Sequence, residues 1–152
     1  MASLKFTESI TIREAAEKVF DYTQDYDKRL SWDTFLKRAE LTNGAVKAKN
    51  GVKAYCVAHN GLGMETEYVS FNRPKVTAVK MTKGPFMFSS FLGSWTFKKI
   101  DQNETEVIFL YSFSLRFPFS IAGKFIKPNL QKNVKQRLLD LKHCLEKKSM
   151  EA

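Results

Sequence analysis

Near the N-terminus, Phe6-Thr7-Glu8-Ser9-Ile10-Thr11-Ile12 alternates with period two, which places Phe6, Glu8, Ile10 and Ile12 on one face of a half-buried strand. The period then changes. From Arg13, the segment REAAEKVFDYTQD sets Ala15, Ala16, Val19, Phe20 and Thr23 on one helical stripe, with Glu14 and Glu17 in the first turn where carboxylates favour the helix dipole. This predicts a helix of about three turns. In YDKRLSWDTF, the spacing of Leu30, Trp32 and Phe35 fits a second, shorter helix or an ordered loop.

From Leu36 to Leu115, turn signals recur at Asn43-Gly44, Asn50-Gly51, Asn60-Gly61, Asn72-Arg73-Pro74, Lys83-Gly84-Pro85 and Asp101-Gln102-Asn103-Glu104, and the spacing predicts an antiparallel meander. Its clearest strand sets Thr105, Val107, Phe109, Tyr111, Phe113 and Leu115 on one face. Trp95 and Phe97 alternate with Thr96 and Lys98 in the strand before it, so a hairpin through Asp101–Glu104 lays aromatic rows side by side. In the strand around 64–71, Met64, Thr66 and Tyr68 oppose Glu65, Glu67, Val69 and Phe71, and either set fits the inner face. The last third returns to helical spacing at Ile121, Phe125, Leu130, Val134, Leu138, Leu141 and Leu145. Ser120 is placed to cap, and Lys124, Lys127, Lys132, Lys135, Arg137 and Lys142 lie elsewhere around the cylinder. Pro128 removes the amide that bonds the Lys124 carbonyl, which predicts a kink or a short helix followed by the main one.

This order, a strand, one or two helices, about six further strands and a long helix, is α+β, with residues 1–152 forming a single domain whose one sheet covers its apolar face with one helix. Thirteen Phe, five Tyr and two Trp exceed what a minimal core of this size needs. A curled sheet wrapping a helix then leaves an aromatic-lined interior cavity.

Charge and cysteine usage narrow the function classes. The 25 basic residues against 16 acidic give a net +9, which favours anionic partners or keeps the protein in solution. Basic residues are spread along the chain without an RNP, KH, helix-turn-helix or zinc signature, so no nucleic-acid partner is expected. Cys56 and Cys144 are far apart with no CxxC or Cys/His spacing, which argues against a disulfide framework or a metal site and for a reducing compartment; no cofactor is expected. MASLKFTES lacks the features of a secretory leader, and no run reaches the ~18–20 apolar residues of a membrane span, so a cytoplasmic, soluble protein is predicted.

The sequence resembles the START-like or SRPBCC superfamily over nearly its whole length. The resemblance rests on FTESITIREAAEKVFDYTQD, Trp32-Asp33, Gly93-Ser94-Trp95-Thr96-Phe97, Glu104-Thr105-Glu106-Val107 and Arg137-Leu138-Leu139-Asp140-Leu141-Lys142. These are fold signatures, and none is a catalytic motif. The resemblance implies the helix-grip fold, a seven-stranded curved antiparallel sheet gripping the C-terminal helix around an apolar cavity. The common function it implies is binding or transport of a hydrophobic small molecule, a lipid, fatty acid, isoprenoid or polyketide-like compound. A polyketide cyclase- or dehydratase-like activity in the same cavity is the alternative.

Candidate cavity residues are Trp32, Tyr68, Met81, Phe88, Trp95, Phe97, Tyr111, Phe113, Phe125 and Leu130. Four polar residues compete for a place among them. Glu8 falls on the apolar face of the first strand, where a carboxylate must be paired or protonated; it either lies near a strand end, meets a cation, or anchors a ligand. His59 with Glu65 and Glu67 makes an acid/base set if all face inward, although Asn60-Gly61 also reads as a plain strand end. The loop from Lys83 to Gly93, rich in Phe and Gly, is placed to cap a cavity mouth, to touch a partner, or to bury a hairpin end. Lys124, Lys127, Lys132, Lys135, Lys142, Lys147 and Lys148 form a basic helix suited to weak contact with an anionic membrane, or to simple solvation.

Overall fold

The structure, a computed structural model, describes residues 3–151, with side chains described through Lys147. The alternating N-terminal segment forms β1 (Leu4–Ile12), which gives way to α1 (Ala16–Gln24) and the single turn of α2 (Arg29–Trp32). Six strands follow: β2 (Leu36–Leu41), β3 (Lys53–Ala58), β4 (Gly63–Asn72), β5 (Val76–Lys83), β6 (Phe88–Asp101) and β7 (Glu104–Leu115). A 3-10 turn at Phe119–Ala122 leads into α3 (Gly123–Glu151). The strands make one antiparallel seven-stranded sheet in the order β1-β7-β6-β5-β4-β3-β2, curled around α3 as in the helix-grip fold.

Register follows the sequence pattern closely where apolar residues alternate without interruption. β1 pairs with β7 from Leu4↔Phe113 to Ile12↔Thr105, and β6 pairs with β7 so that Trp95 lies opposite Phe109. Those two rings stand 4.1 Å apart between centroids, the side-by-side aromatic rows expected of the hairpin. In β4 a bulge disturbs the alternation between Tyr68 and Ser70. Val69 is the extra residue, so Tyr68 and Phe71 both turn inward, and Phe71 packs edge-on against Phe20 at 5.2 Å.

Three local expectations are corrected. α1 begins only at Ala16, behind an extended Ala15, and is nine residues long. Ser120 sits inside the 3-10 turn with its amide on the Arg116 carbonyl, so it does not occupy the cap position of α3. α3 runs through Pro128 as one helix, which overturns the alternative of a short helix followed by the main one: the proline forgoes a single bond, to Lys124, and the rest of the ladder continues. Val134, Leu138, Leu141 and Leu145 on its inner side are fully buried in the same cluster as Phe6, Ile12, Val107 and Phe113.

Candidate functional site

At the other end of that core the packing opens into a cavity of about 380 Å³ between the sheet and the first half of α3. Met64, Val79, Phe88, Phe91, Trp95 and Phe109 wall it from β4 to β7, and Ile126 and Leu130 close it from α3. Gly93 contributes to the wall by what it lacks. A Cβ there would stand 3.5–3.7 Å from the rings of Phe91, Tyr111 and Phe109, so any longer side chain would occupy the cavity. The exposed members of the lining, Asn60 and Leu62 on the β3–β4 turn and Asn129 on α3, mark the mouth beside Pro85 and Met87 of the β5–β6 loop.

The inner end is polar. Arg29 and Asp33 are four apart around the turn of α2, so their side chains meet, with Arg29 Nε donating to Asp33 Oδ2 at 2.9 Å. Arg137 reaches the same carboxylate from α3, Nε to Oδ1 at 3.0 Å and Nη2 to Oδ2 at 2.8 Å, and gives Nη1 to the Tyr111 hydroxyl at 2.7 Å. Aromatic faces carry the two cations: Arg29 lies over Trp32 and Tyr26, and Arg137 over Phe35 and Phe109. All three ionic groups are buried, Asp33 completely. Burial alone would push the Asp33 carboxyl up, but the charges of Arg137 and Arg29 outweigh it and hold it below the ordinary range. Tyr68 donates to Gln24 Oε1 at 2.6 Å beside Tyr26, and burial pushes the Tyr26 and Tyr68 phenols and the Cys56 thiol up. Arg29, Arg137, Tyr26, Tyr68, Tyr111 and Cys56 all line the cavity.

Of the side chains named from sequence, Tyr68, Phe88, Trp95, Tyr111 and Leu130 border the cavity. Trp32, Phe97 and Phe113 belong to the core around it: Trp32 lies beneath Arg29 and edge-on to Trp95, Phe97 packs on Phe20, and Phe113 fits between Phe6 and Phe88. Met81 is half-buried against that core and outside the lining. Phe125 points to solvent with Lys124 over its ring.

The four polar candidates also lie outside the lining. Glu8 is half-buried on the inner face of β1 and accepts a hydrogen bond from Gln131 Nε2 at 2.9 Å, so an amide, not a cation, satisfies it. Glu65 and Glu67 take the outer face of β4, where Glu65 accepts from Thr82 Oγ1 at 2.7 Å and Glu67 stands opposite Lys53 and Lys80. Met64, Thr66 and Tyr68 therefore have the inner face. His59 is exposed in the β3–β4 turn, where Asn60 Oδ1 accepts from the Leu62 amide and Gly61 takes a left-handed φ of 91°.

Sequence reasoning missed the Arg29–Asp33–Arg137 cluster and set Arg137 away from the apolar stripe. Its position three after Val134 and four before Leu141 puts it on the buried face, and a cation there requires a partner. The signal was therefore present, obscured by the lysines along the same helix.

A family model described as polyketide cyclase / dehydrase and lipid transport matches residues 3–146. The chain belongs to this family. Solved structures share the family's architecture at low identity. The Zhui aromatase/cyclase from Streptomyces sp. R1128 aligns with a TM-score of 0.80 at 13% identity, over 97% of this chain and 96% of that one. A START superfamily protein from Mycobacterium smegmatis aligns at 0.67 and 10% identity over 90% and 98%. Ara h 8.0201 aligns at 0.73 and 9% over 96% and 99%. These likenesses show the fold. No curated protein matches the sequence.

Proposed function

We propose that this member of the polyketide cyclase / dehydrase and lipid transport family binds and carries one hydrophobic small molecule between its sheet and α3. The observation that carries this reading is the aromatic-walled cavity of about 380 Å³, a size in the usual range for small-molecule sites. Removing ~300–400 Å² of apolar ligand surface from water contributes ~7–10 kcal/mol gross, before association and ordering costs, which supports micromolar binding. Binding is favoured over turnover by the titratable groups inside. The lining holds no His, Asp or Glu among the described residues, and Tyr26, Tyr68 and Cys56 are all shifted away from neutrality, where a general base works best. Two free cysteines suit a reducing, cytoplasmic setting.

A carrier must also load and unload. Beside the mouth, Phe86, Phe117, Ile121 and Phe125 are 71%, 72%, 70% and 69% exposed, and from Val107 to Leu139 the chain has no Asp or Glu. Exposed rings among Arg116, Lys124, Lys127 and Lys132 suit an anionic membrane surface as the place of exchange. No helix among the described residues is long and apolar enough to cross a membrane.

The test uses the neutral, environment-sensitive dye N-phenyl-1-naphthylamine. The expected result is enhanced fluorescence saturating at one site per chain, reversed by long-chain apolar competitors and unaffected by nucleotides. A folded protein that leaves the dye dark would sink the carrier reading.

A further inference from the structure

Charge at the inner end of the cavity does not balance. Arg29 and Arg137 both line it, and Asp33 is the one carboxylate hydrogen-bonded to either among the described residues. Both Asp33 oxygens are already engaged, Oδ1 by Arg137 and Oδ2 by both arginines. The neighbouring Tyr26, Tyr68 and Cys56 keep their protons, since burial disfavours their anions, and Gln24, Thr77 and Asn133 bring dipoles without charge. Two buried guanidiniums against one carboxylate leave an excess of one positive charge facing an otherwise apolar space. A buried charge left without a counterion is strongly unfavourable, and a guanidinium is well matched to a carboxylate.

We infer that the ligand is an amphipathic monoanion, whose carboxylate or similar singly charged head seats against Arg29 beside the Tyr26 and Tyr68 hydroxyls. Its apolar body lies along Trp95 and Phe91 toward the mouth at Leu62 and Ile126. This inference rests on the cavity being a ligand site and adds the chemical class of the ligand. Among the described residues the lining of the mouth is asparagines and apolar groups, and the basic side chains around it are solvated, so the orientation follows from the one charged end that is buried.

Displacement of N-phenyl-1-naphthylamine by dodecanoate and by dodecanol, which share a chain and differ in the head, tests it at neutral pH. Dodecanoate is expected to compete at least about tenfold more tightly, although the alcohol is the more hydrophobic of the two. On the intact protein that preference is expected to fade as the pH drops below about 5 and the free acid forms. Arg29→Met leaves the Asp33–Arg137 pair neutral and intact; it is expected to abolish the preference while dodecanol affinity stays within about threefold, and Arg29→Lys is expected to keep part of it. Retained dodecanol binding shows that the variant cavity is folded; if Arg29→Met does not fold, the head-group and pH comparisons on the wild type decide. Equal competition by the two on the wild type overturns the anionic ligand and leaves the carrier reading standing. Displacement by neither, or no dye binding at all, removes both.

Discussion

Asp33 and Arg137, 104 residues apart in sequence, are joined by two hydrogen bonds of 3.0 and 2.8 Å at the centre of the protein. That pair links the turn after α2 to α3, so the polar end of the cavity is also a tie between the two ends of the chain. Functional charge and structural pairing share the same atoms here.

Replacing Asp33 by Asn should therefore be severe. It leaves Arg29 and Arg137 buried without a carboxylate, and the expected loss is ~3–5 kcal/mol of stability. Denaturant unfolding of the variant measures it; a loss below about 1 kcal/mol would show that water or a bound anion neutralises the arginines already.

Acid should act through the same carboxylate. In the unfolded chain an Asp titrates near ~3.9, and in the fold Arg137 and Arg29 hold Asp33 lower despite its burial. Because the folded value is depressed, the unfolded chain takes up the proton first. The contribution of Asp33 is thus fully present above about pH 5 and is lost as the pH falls through the folded value. The stability gap between wild type and Asp33→Asn should stay constant from about pH 8 to 5 and narrow below about pH 4, as read by unfolding at each pH.

Legibility in the sequence followed the strength of local pattern. The β6–β7 hairpin was readable because Trp95, Phe97, Val107 and Phe109 alternate without a break on either side of a short polar turn. The faces of β4 were not, since the bulge at Val69 comes from pairing with β5 and leaves no mark in a period-two count. Phe125 and Ile121 follow the helical stripe yet stand in solvent, because the stripe leaves the packed sheet where α3 passes the cavity mouth. Of the eight aromatics named for the cavity, four border it, Trp32, Phe97 and Phe113 are core and Phe125 is in solvent, as sequence gives the face of a ring and not whether space or another ring lies opposite.

Trp95 and Phe113 separate those two roles. Each is buried, and replacement of either by Ala should cost ~3–5 kcal/mol. Trp95 borders the cavity and Phe113 does not, so only the Trp95 variant should change dye affinity or stoichiometry when both are assayed well below their melting temperatures. Equal effects on binding would mean that the dye reports general loosening and not the cavity.

Gly93 allows the cavity to be filled from its own wall. Ala at this position makes ordinary contacts with Phe91, Tyr111 and Phe109 and removes a strand glycine, so Gly93→Ala should be neutral or stabilising by up to about 1 kcal/mol. Gly93→Leu projects further into the space and should weaken dye binding about tenfold or more at little cost in folding. Unchanged binding by a folded Gly93→Leu protein would place the dye elsewhere.

The exposed apolar side chains at the mouth bear on where exchange happens. Phe117, Ile121 and Phe125 come from the 3-10 turn and the start of α3, and Phe86 joins them from the β5–β6 loop under the guanidinium of Arg116. Of the lysines expected to face a membrane, Lys124, Lys127, Lys132 and Lys135 share the acid-free stretch with them; Lys142 is instead tied to Glu146 at 2.8 Å, and Lys148 lies outside the described side chains. Each exposed lysine contributes at most ~1 kcal/mol against an anionic surface and less as salt rises, so the charges alone give weak, salt-reversible adhesion. Insertion of these apolar side chains should add a salt-resistant part. Cosedimentation with phosphatidylserine-containing vesicles is expected at low salt and to fall at physiological salt, with none on phosphatidylcholine alone. Replacing Ile121 and Phe125 together by Ser should remove the salt-resistant fraction without altering dye binding, since neither residue lines the cavity. Equal partition onto both vesicle types, or a double variant that binds like the wild type, would take this surface out of ligand exchange.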